Sequence, residues 1–198
     1  TASEVSRSVV ITDDEKGLKH GLGNMEMMPD IAIDDPEVTI FLPPHITAET
    51  GMDALTHALE ALVSNRANYL SDILAVPAAL DIIRTLPIAY ANGKDMDARE
   101  MMLNASMTAG LAFTNVSLGI VHSLAQTIGG YFHISHGLAD AIILPYIIRY
   151  NAVVPYADKK YHDLAAKFGK TDLSEIVDDL NRRLHIPSTL REPLQEEA

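Results

Sequence analysis

Gly51-Met52-Asp53-Ala54-Leu55-Thr56-His57-Ala58-Leu59-Glu60 is the stretch of sequence that decides the fold of this chain. Its apolar residues Met52, Leu55 and Leu59 recur at the spacing of one face of a helix. We therefore predict a helix from Thr47 to about Asn65, with the Thr47 side chain as its N-cap.

Two polar residues of this predicted helix, Asp53 and His57, are four positions apart. Side chains at that spacing project from the same face, with their Cβ atoms roughly 5–6 Å apart. A carboxylate oxygen and an imidazole nitrogen that converge in this way can bind a divalent metal. The alternative interpretation is a local polar contact without a metal.

The rest of the chain predicts a mainly helical protein with a short β segment at its start. Further helices are predicted at about 69–91, 95–114, 118–128, 137–151, 158–168 and 172–184. Asp95 is the expected N-cap of the third helix, and the glycine pair at 129–130 is expected to end the fourth. Before residue 44, β-branched runs predict strands at 5–12 and 31–33, and the charged run 14–17 predicts a turn.

Composition narrows the classes of function. The chain has 198 residues and a net charge of -12, which argues against nucleic acid and against an anionic membrane surface as partners. It has no cysteine, so thiolate metal sites and thiol nucleophiles are excluded. No uninterrupted apolar run reaches the roughly 20 residues of a membrane span, and no signal peptide is visible, so we expect a cytoplasmic protein. Because the first residue is Thr1 rather than Met, we expect a cut inside a larger protein.

Three histidines lie in the apolar region 101–155, which carries only two charged residues. A lone histidine in such a region is usually a core residue with one hydrogen bond, but His122, His133 and His136 fall close together in the sequence. Two of them, with Asp53 and His57, would form a set of three imidazoles and one carboxylate. Such a set suits Fe(II), Zn(II) or Mn(II), and an open coordination position would allow Lewis-acid chemistry. Spacing alone does not choose between His133 and His136.

Four segments carry a resemblance to a known family. They are Thr1-Ala2-Ser3-Glu4-Val5, Pro29-Asp30-Ile31-Ala32-Ile33-Asp34-Asp35-Pro36, residues 47–60, and the run from Ala112 through His122 to Ala141. Together they resemble the iron-containing (group III) alcohol dehydrogenases. The most similar branches are the propanediol and lactaldehyde reductases and the dehydrogenase half of the bifunctional aldehyde-alcohol enzymes.

The resemblance implies an N-terminal α/β nucleotide-binding domain and a C-terminal all-helical domain of the dehydroquinate-synthase type. On this basis residues 1–45 are expected to be a β-rich remnant of the first domain. Residues 46–198 are expected to be the helical metal-binding catalytic domain, truncated at its C-terminus. The family's glycine-rich phosphate loop is expected upstream of this chain, so the chain alone is expected to be inactive and to bind little NADH.

The resemblance also implies an activity and a ligand set. The activity is NAD(P)-linked oxidation of an alcohol or reduction of an aldehyde, with Fe(2+) as the metal and Zn as the alternative. Carried over by motif, the metal ligands are Asp53, His57, His122 and His136, which selects His136 over His133. The full-length protein is expected to be a homo-oligomer that acts on a small alcohol or aldehyde.

Further roles follow from the same resemblance. Thr1 matches a position beside the dinucleotide phosphates, Val10 one beside the nicotinamide, and Lys19 one that contacts the ribose. Gln126 stands where the family usually has a second histidine that relays a proton. Because an amide does not titrate, Gln126 can donate a hydrogen bond but cannot relay a proton in this way.

Three residues have two interpretations each. Phe113 and Leu118 either line a substrate pocket or belong to the core, and Glu60 either orients His57 or is solvated. Two rival functions also stay open. One is a zinc enzyme of the dehydroquinate synthase or glycerol dehydrogenase type, and the other is a helical metal-binding module without catalysis.

Overall fold

The computed structural model describes residues 1–13, 15, 18–191 and 193. Its strands and α-helices are, in chain order, β1 Ser8–Asp13, β2 Leu18–Gly23, α1 Pro44–Val63, α2 Tyr69–Ala91, α3 Met96–Val116, α4 Ile120–Phe132, α5 His136–Asn151, α6 Pro155–Ala166 and α7 Leu173–Arg183. This confirms a mainly helical fold with a short β segment. Most of the predicted turn at 14–17 lies outside the described residues.

Helix α1 lies at the centre of the fold, packed against α2, α3 and α5. Every residue from Gly51 to Leu62 is buried. Full burial of each large apolar side chain, such as Met52 or Leu55, contributes about 1.5–3 kcal/mol to stability. Because neighbouring elements cover α1 on all sides, its polar side chains are buried as well. Such groups cost free energy unless they find partners, so the polar face of α1 must be matched by the helices around it.

The start of α1 differs from the prediction. The helix begins at Pro44 with Pro43 in the N-cap position, so the prediction that Thr47 is the N-cap was wrong. Proline is favoured in the first turn because it lacks the N–H that would be unsatisfied there. The Thr47 hydroxyl instead accepts a hydrogen bond of 2.8 Å from the buried guanidinium of Arg99 on α3.

Helix α4 begins and ends later than predicted. The buried glycines 129 and 130 lie inside it, and it ends at Phe132, followed by the C-cap residue His133, whose φ of 56° is left-handed. Packing therefore overrides the helix-breaking preference of glycine at these two positions. The axes of α3 and α4 differ by 103°, and this bend turns the chain back towards α1. The predicted N-cap of α3 is confirmed, because the Asp95 carboxylate accepts from the N–H of Ala98.

The β segment is one antiparallel hairpin in which Ser8 pairs with Gly23 and Asp13 with Leu18. The sequence predicted the first strand but not the second, whose Lys-His-Gly-Leu-Gly run has no β-branched residue. The predicted strand at 31–33 was wrong, since these residues form no regular element and pair with no strand. Local propensity is a weak guide to strands, because cross-strand pairing decides them.

Helix α2 is the one described helix long and apolar enough to cross a membrane, although charged residues interrupt its apolar run. It has 23 residues and a mean hydropathy of 1.5 over its most apolar window, which is enough by length and composition. In this fold 44% of that window is buried against the rest of the chain, as in a core helix. Pro77 and Pro87 lie inside it.

Candidate metal centre

Three imidazoles converge on one carboxylate oxygen. The Oδ1 atom of Asp53 lies 3.3 Å from Nε2 of His122, 3.5 Å from Nε2 of His57 and 4.0 Å from Nε2 of His136. The side chains of Asp53, His57 and His122 are almost fully buried, and that of His136 is 31% exposed. The structure therefore brings together all four residues predicted as metal ligands, and His136 lies on the open side of the group.

Each helix presents its residue for a local reason. His57 follows Asp53 by one turn of α1, and His136 is the first residue of α5. Ser135 caps α5 by accepting from the N–H of Leu138. Next to His136, Gly137 leaves no room for a side chain, because a Cβ atom there would overlap the main-chain carbonyl of Glu49 on α1. This close approach of α5 to α1 sets the position of His136.

Asp140 is a further member of the cluster. One ligand atom from each of Asp53, His122, His136 and Asp140 lies within 4.8 Å of the others. The Asp140 side chain is fully buried, and its Oδ2 atom is 3.3 Å from Nε2 of His136. His57 lies outside this tightest group of four, although its ring stacks on that of His122 with centroids 4.6 Å apart.

Sequence reasoning did not single out Asp140. The available signal was a carboxylate four residues after a histidine, inside a region with only one other charge. His133, the rival of His136, is exposed and belongs to no such cluster among the described residues.

Several polar atoms of this cluster are buried without a hydrogen-bond partner among the described residues. They include Asp53 Oδ1, His122 Nε2 and both carboxylate oxygens of Asp140. Leaving such groups unpaired costs about 1–3 kcal/mol each, and more when they are charged. A divalent cation would satisfy these oxygen and nitrogen lone pairs together. The donor set, made of imidazoles and carboxylates without a thiolate, thus fits a borderline divalent metal.

The protonation states are set by burial and by the neighbours. Burial lowers the pKa of His57 to about 3, so its imidazole is neutral at pH 7. Burial also lowers the pKa of His136. For Asp53, burial favours the neutral form, but the adjacent His57 and His122 outweigh it and hold the carboxyl pKa below its ordinary value. Burial likewise opposes the charge of His122, but the adjacent carboxylates of Asp53 and Glu60 raise its pKa to about 10.

Glu60 differs from both sequence interpretations, since it is buried and contacts His122 rather than His57. Its Oε2 atom lies 2.8 Å from Nδ1 of His122, and its oxygens also accept from the N–H groups of Gly119 and Val121. A carboxylate from α1 therefore contacts both the start of α4 and one of the clustered imidazoles.

A cavity of about 310 Å³ lies between the hairpin and the ends of α3 and α4. Val10, Phe113, Leu118 and Gln126 are among its lining residues. The ring of Phe113 is also stacked on that of His57, with centroids 4.4 Å apart. Phe113 is therefore both a core residue and part of a cavity wall beside the histidine cluster.

The structure places the three residues predicted to bind the cofactor in different surroundings. Val10 lines the cavity just described, whereas Thr1 lines a second one of about 270 Å³ together with Arg99. A hydrogen bond from the Thr1 side chain also helps to lower the pKa of Asp53. The Lys19 ammonium lies against Gly129 of α4. The cofactor roles of Thr1, Val10 and Lys19 stay predictions.

Comparison with known proteins gives a consistent result. Residues 47–195 match the family model described as the Fe-containing alcohol dehydrogenase family, C-terminal. The 1-propanol dehydrogenase PduQ of Salmonella typhimurium is 49% identical over 169 residues, which cover 85% of this chain and 46% of that protein. Alcohol dehydrogenase 4 of Saccharomyces cerevisiae is 40% identical over 97% of this chain and 52% of its own length.

Solved structures of similar enzymes also match this chain over almost its whole length. The crystal structure of a 1,3-propanediol oxidoreductase superposes with a TM-score of 0.91 at 39% identity, covering 98% of this chain and 53% of that one. A sulfoacetaldehyde reductase from Bifidobacterium kashiwanohense, solved in complex with NAD+, gives a TM-score of 0.89 at 33% identity, covering 97% and 51% of the two chains. The chain thus spans about half the length of the relatives that it matches.

Proposed function

This chain belongs to the iron-containing alcohol dehydrogenase family, and on that premise we propose that it is the metal-binding part of an NAD(P)-linked alcohol dehydrogenase or aldehyde reductase. The observation that carries the proposal is the convergence of three imidazole Nε2 atoms on Asp53 Oδ1 in a buried cluster with unpaired lone pairs. The proposed substrate is a small alcohol or the corresponding aldehyde, as the names of the relatives suggest.

We assign the metal ligands as Asp53, His57, His122 and His136. The neutral state of His57 supports this set, because a ligating imidazole must have a free lone pair. Asp53 supplies a negative charge against the cation. Asp140 adds a second acidic side chain to the buried site, close to His136.

When bound, a divalent metal supplies Lewis-acid polarisation of an alcohol or aldehyde oxygen. The residues around the cluster control which groups can reach the metal. Phe113 covers one face of His57, and Leu118 forms part of the neighbouring cavity wall. Gln126 lines the same cavity and can orient a polar group through its amide, but the substrate proton must leave by another route.

Iron is the proposed metal and NAD(P) the proposed cofactor. Imidazole and carboxylate ligands suit Fe(II) and Zn(II) alike, so the choice of iron rests on the family. The family match begins at residue 47, which supports the proposed division into a β-rich part at 1–45 and a helical part at 46–198. A cytoplasmic location and a homo-oligomeric full-length protein remain predictions.

Metal loading of the 198-residue chain tests the proposal. The chain is treated with a chelator, reloaded anaerobically with Fe(II) or Zn(II), desalted and analysed for metal content. We expect one equivalent of metal per chain, and close to none for the Asp53→Asn variant. Failure of the unmodified chain to retain metal, or full retention by the Asp53→Asn variant, would refute the assignment.

A further inference from the structure

Glu60 has a buried carboxylate whose hydrogen-bond partners all lie in one segment at the start of α4. The residue is 4% exposed. Its Oε1 atom accepts from Val121 N at 2.7 Å, and its Oε2 atom accepts from Gly119 N at 2.9 Å and lies 2.8 Å from His122 Nδ1. Both oxygens are thus occupied, and a long side chain on α1 is held in a single position.

The carboxylate takes the place of a helix cap. Helix α4 begins after Gly119, which has no side chain to cap it. The first N–H groups of a helix lack partners within the helix and favour a negative charge nearby. Glu60 supplies both the acceptors and the charge from another helix. Gly119 suits this contact, because a Cβ atom there would lie 2.8 Å from Glu60 Oε1.

The same carboxylate determines which nitrogen of His122 is free. A carboxylate only accepts, so the Nδ1 atom of His122 carries the proton that bonds to Glu60. The lone pair of the neutral imidazole is then on Nε2, the atom 3.3 Å from Asp53 Oδ1 and without a hydrogen-bond partner. Histidine ligands of metal sites commonly have their second nitrogen held in this way.

We propose that Glu60 is a positioning residue of the metal centre, which holds the His122 ring with Nε2 directed at the cation and ties the start of α4 to α1. The proposal rests on the proposed function, because it takes His122 as a ligand. It assigns one residue to two tasks, because the same carboxylate fixes the start of α4 and the orientation of the imidazole that α4 carries. Nothing in the sequence indicates this pairing of residues on different helices.

Glutamine is the informative substitution. The Glu60→Gln variant keeps the size of the side chain but replaces one acceptor oxygen by an NH2 group. In one orientation the NH2 group faces His122 Nδ1, which favours the tautomer with Nε2 protonated and unable to bind metal. In the other orientation it faces the N–H of Val121 and uncaps the helix. Either way one of the two tasks fails.

The matched control is Asp95→Asn, which makes the same chemical change at the cap of α3. The Asp95 carboxylate accepts from Ala98 N at 3.0 Å, and it has no hydrogen bond to an imidazole among the described residues. Thermal unfolding of both variants verifies that they fold. Zn(II) affinity is then measured by competition with a chromophoric chelator, since Zn(II) is diamagnetic and allows NMR spectroscopy of the same samples.

We expect Glu60→Gln to weaken Zn(II) binding by roughly 10- to 100-fold and Asp95→Asn to leave it unchanged. Long-range 1H–15N spectra of the Zn(II)-loaded chain, labelled at its eight histidines, give a second readout. The His122 signal, assigned in the metal-free chain with a His122→Gln variant, is expected to show a protonated Nδ1 and, after loading, a ligating Nε2. In Glu60→Gln this pattern is expected to be lost or to exchange.

Equal affinity in Glu60→Gln and the unmodified chain would overturn the positioning role while leaving the metal centre intact. The same weakening in Asp95→Asn would also overturn it, because loss of any helix cap would then suffice. If the unmodified chain binds no Zn(II) or Fe(II), the metal centre itself is wrong and the role of Glu60 falls with it.

Discussion

The Nε2 atom of His122 on α4 lies 3.3 Å from the Oδ1 atom of Asp53 on α1, and neither atom has a hydrogen-bond partner among the described residues. Two buried polar atoms held this close without a hydrogen bond have the arrangement of ligands around a shared cation.

Loss of His136 should remove metal retention. We expect His136→Ala to keep less than a tenth of an equivalent of Zn(II) after desalting, because it deletes one ligand on the open side of the cluster. The control is His133→Asn, an exposed position whose left-handed φ of 56° asparagine tolerates. Elemental analysis measures the Zn(II) content of both variants. A full equivalent of Zn(II) in His136→Ala would contradict the ligand assignment.

Metal binding should release a proton. Burial lowers the pKa of His122, but the carboxylates of Asp53 and Glu60 outweigh burial and raise it to about 10. The metal-free ring is therefore protonated at pH 7. Zn(II) needs the Nε2 lone pair, and about one proton should leave per ion bound. Calorimetric titrations at pH 7 in two buffers of different ionisation enthalpy measure the number of protons released. Heats that do not depend on the buffer would count against a protonated His122.

The buried carboxyl of Asp140 should make the metal-free chain lose stability as pH rises. Burial raises its pKa from 3.8 to about 8. Between these values the folded chain retains a proton that the unfolded chain has lost, so the free energy of unfolding falls with increasing pH. Asp140→Asn removes this dependence. Urea unfolding at pH 5 and pH 9 measures the free energy of unfolding of both chains. Relative to the unmodified chain, Asp140→Asn should be more stable at pH 9 than at pH 5. An equal difference in stability at the two pH values would disprove the prediction.

Gly137→Ala should displace α5 from α1 and weaken metal binding. Its Cβ atom would overlap the carbonyl of Glu49, and a main-chain group cannot move aside cheaply. We expect destabilisation of about 1–3 kcal/mol, typical of overpacking, together with a weaker affinity for Zn(II). Gly21→Ala is the control, since no atom lies within 4 Å of its added Cβ. Unchanged affinity and stability in Gly137→Ala would mean that the two helices are not in close contact.

Arg99 should be essential to the junction between α3 and the start of α1. Its buried guanidinium donates to the Gly93 carbonyl at 2.9 Å, to the Thr47 hydroxyl at 2.8 Å and to the Leu42 carbonyl at 3.4 Å. Lysine cannot reproduce this planar fork. We expect Arg99→Lys to cost about 1–3 kcal/mol in urea unfolding, whereas Arg183→Lys on the surface should stay within about 0.5 kcal/mol. Equal stabilities of the two variants would refute this role.

The residue types of the candidate metal site and most of the helices could be predicted from the sequence. Helix α2 has the predicted bounds, and Asp53 and His57 had to share a face, because a four-residue spacing allows nothing else on a helix. The strand β2 and the missing strand at 31–33 could not be predicted reliably, since pairing decides strands. Glu60 was misread because its spacing along α1 indicates His57 as its neighbour, whereas α4 packs His122 against it.

The sequence by itself determined the class of this protein: local periodicity, capping residues and the helical motifs with their histidines and aspartates depend only on neighbours along the chain. The tertiary structure alone decided which of these side chains meet. It brought Asp140 into the cluster, left His133 outside, and joined Glu60 to His122. Those contacts depend on the 103° bend between α3 and α4 and on the close approach of α5 to α1. Both arise from packing between segments distant in sequence, which local spacing does not specify.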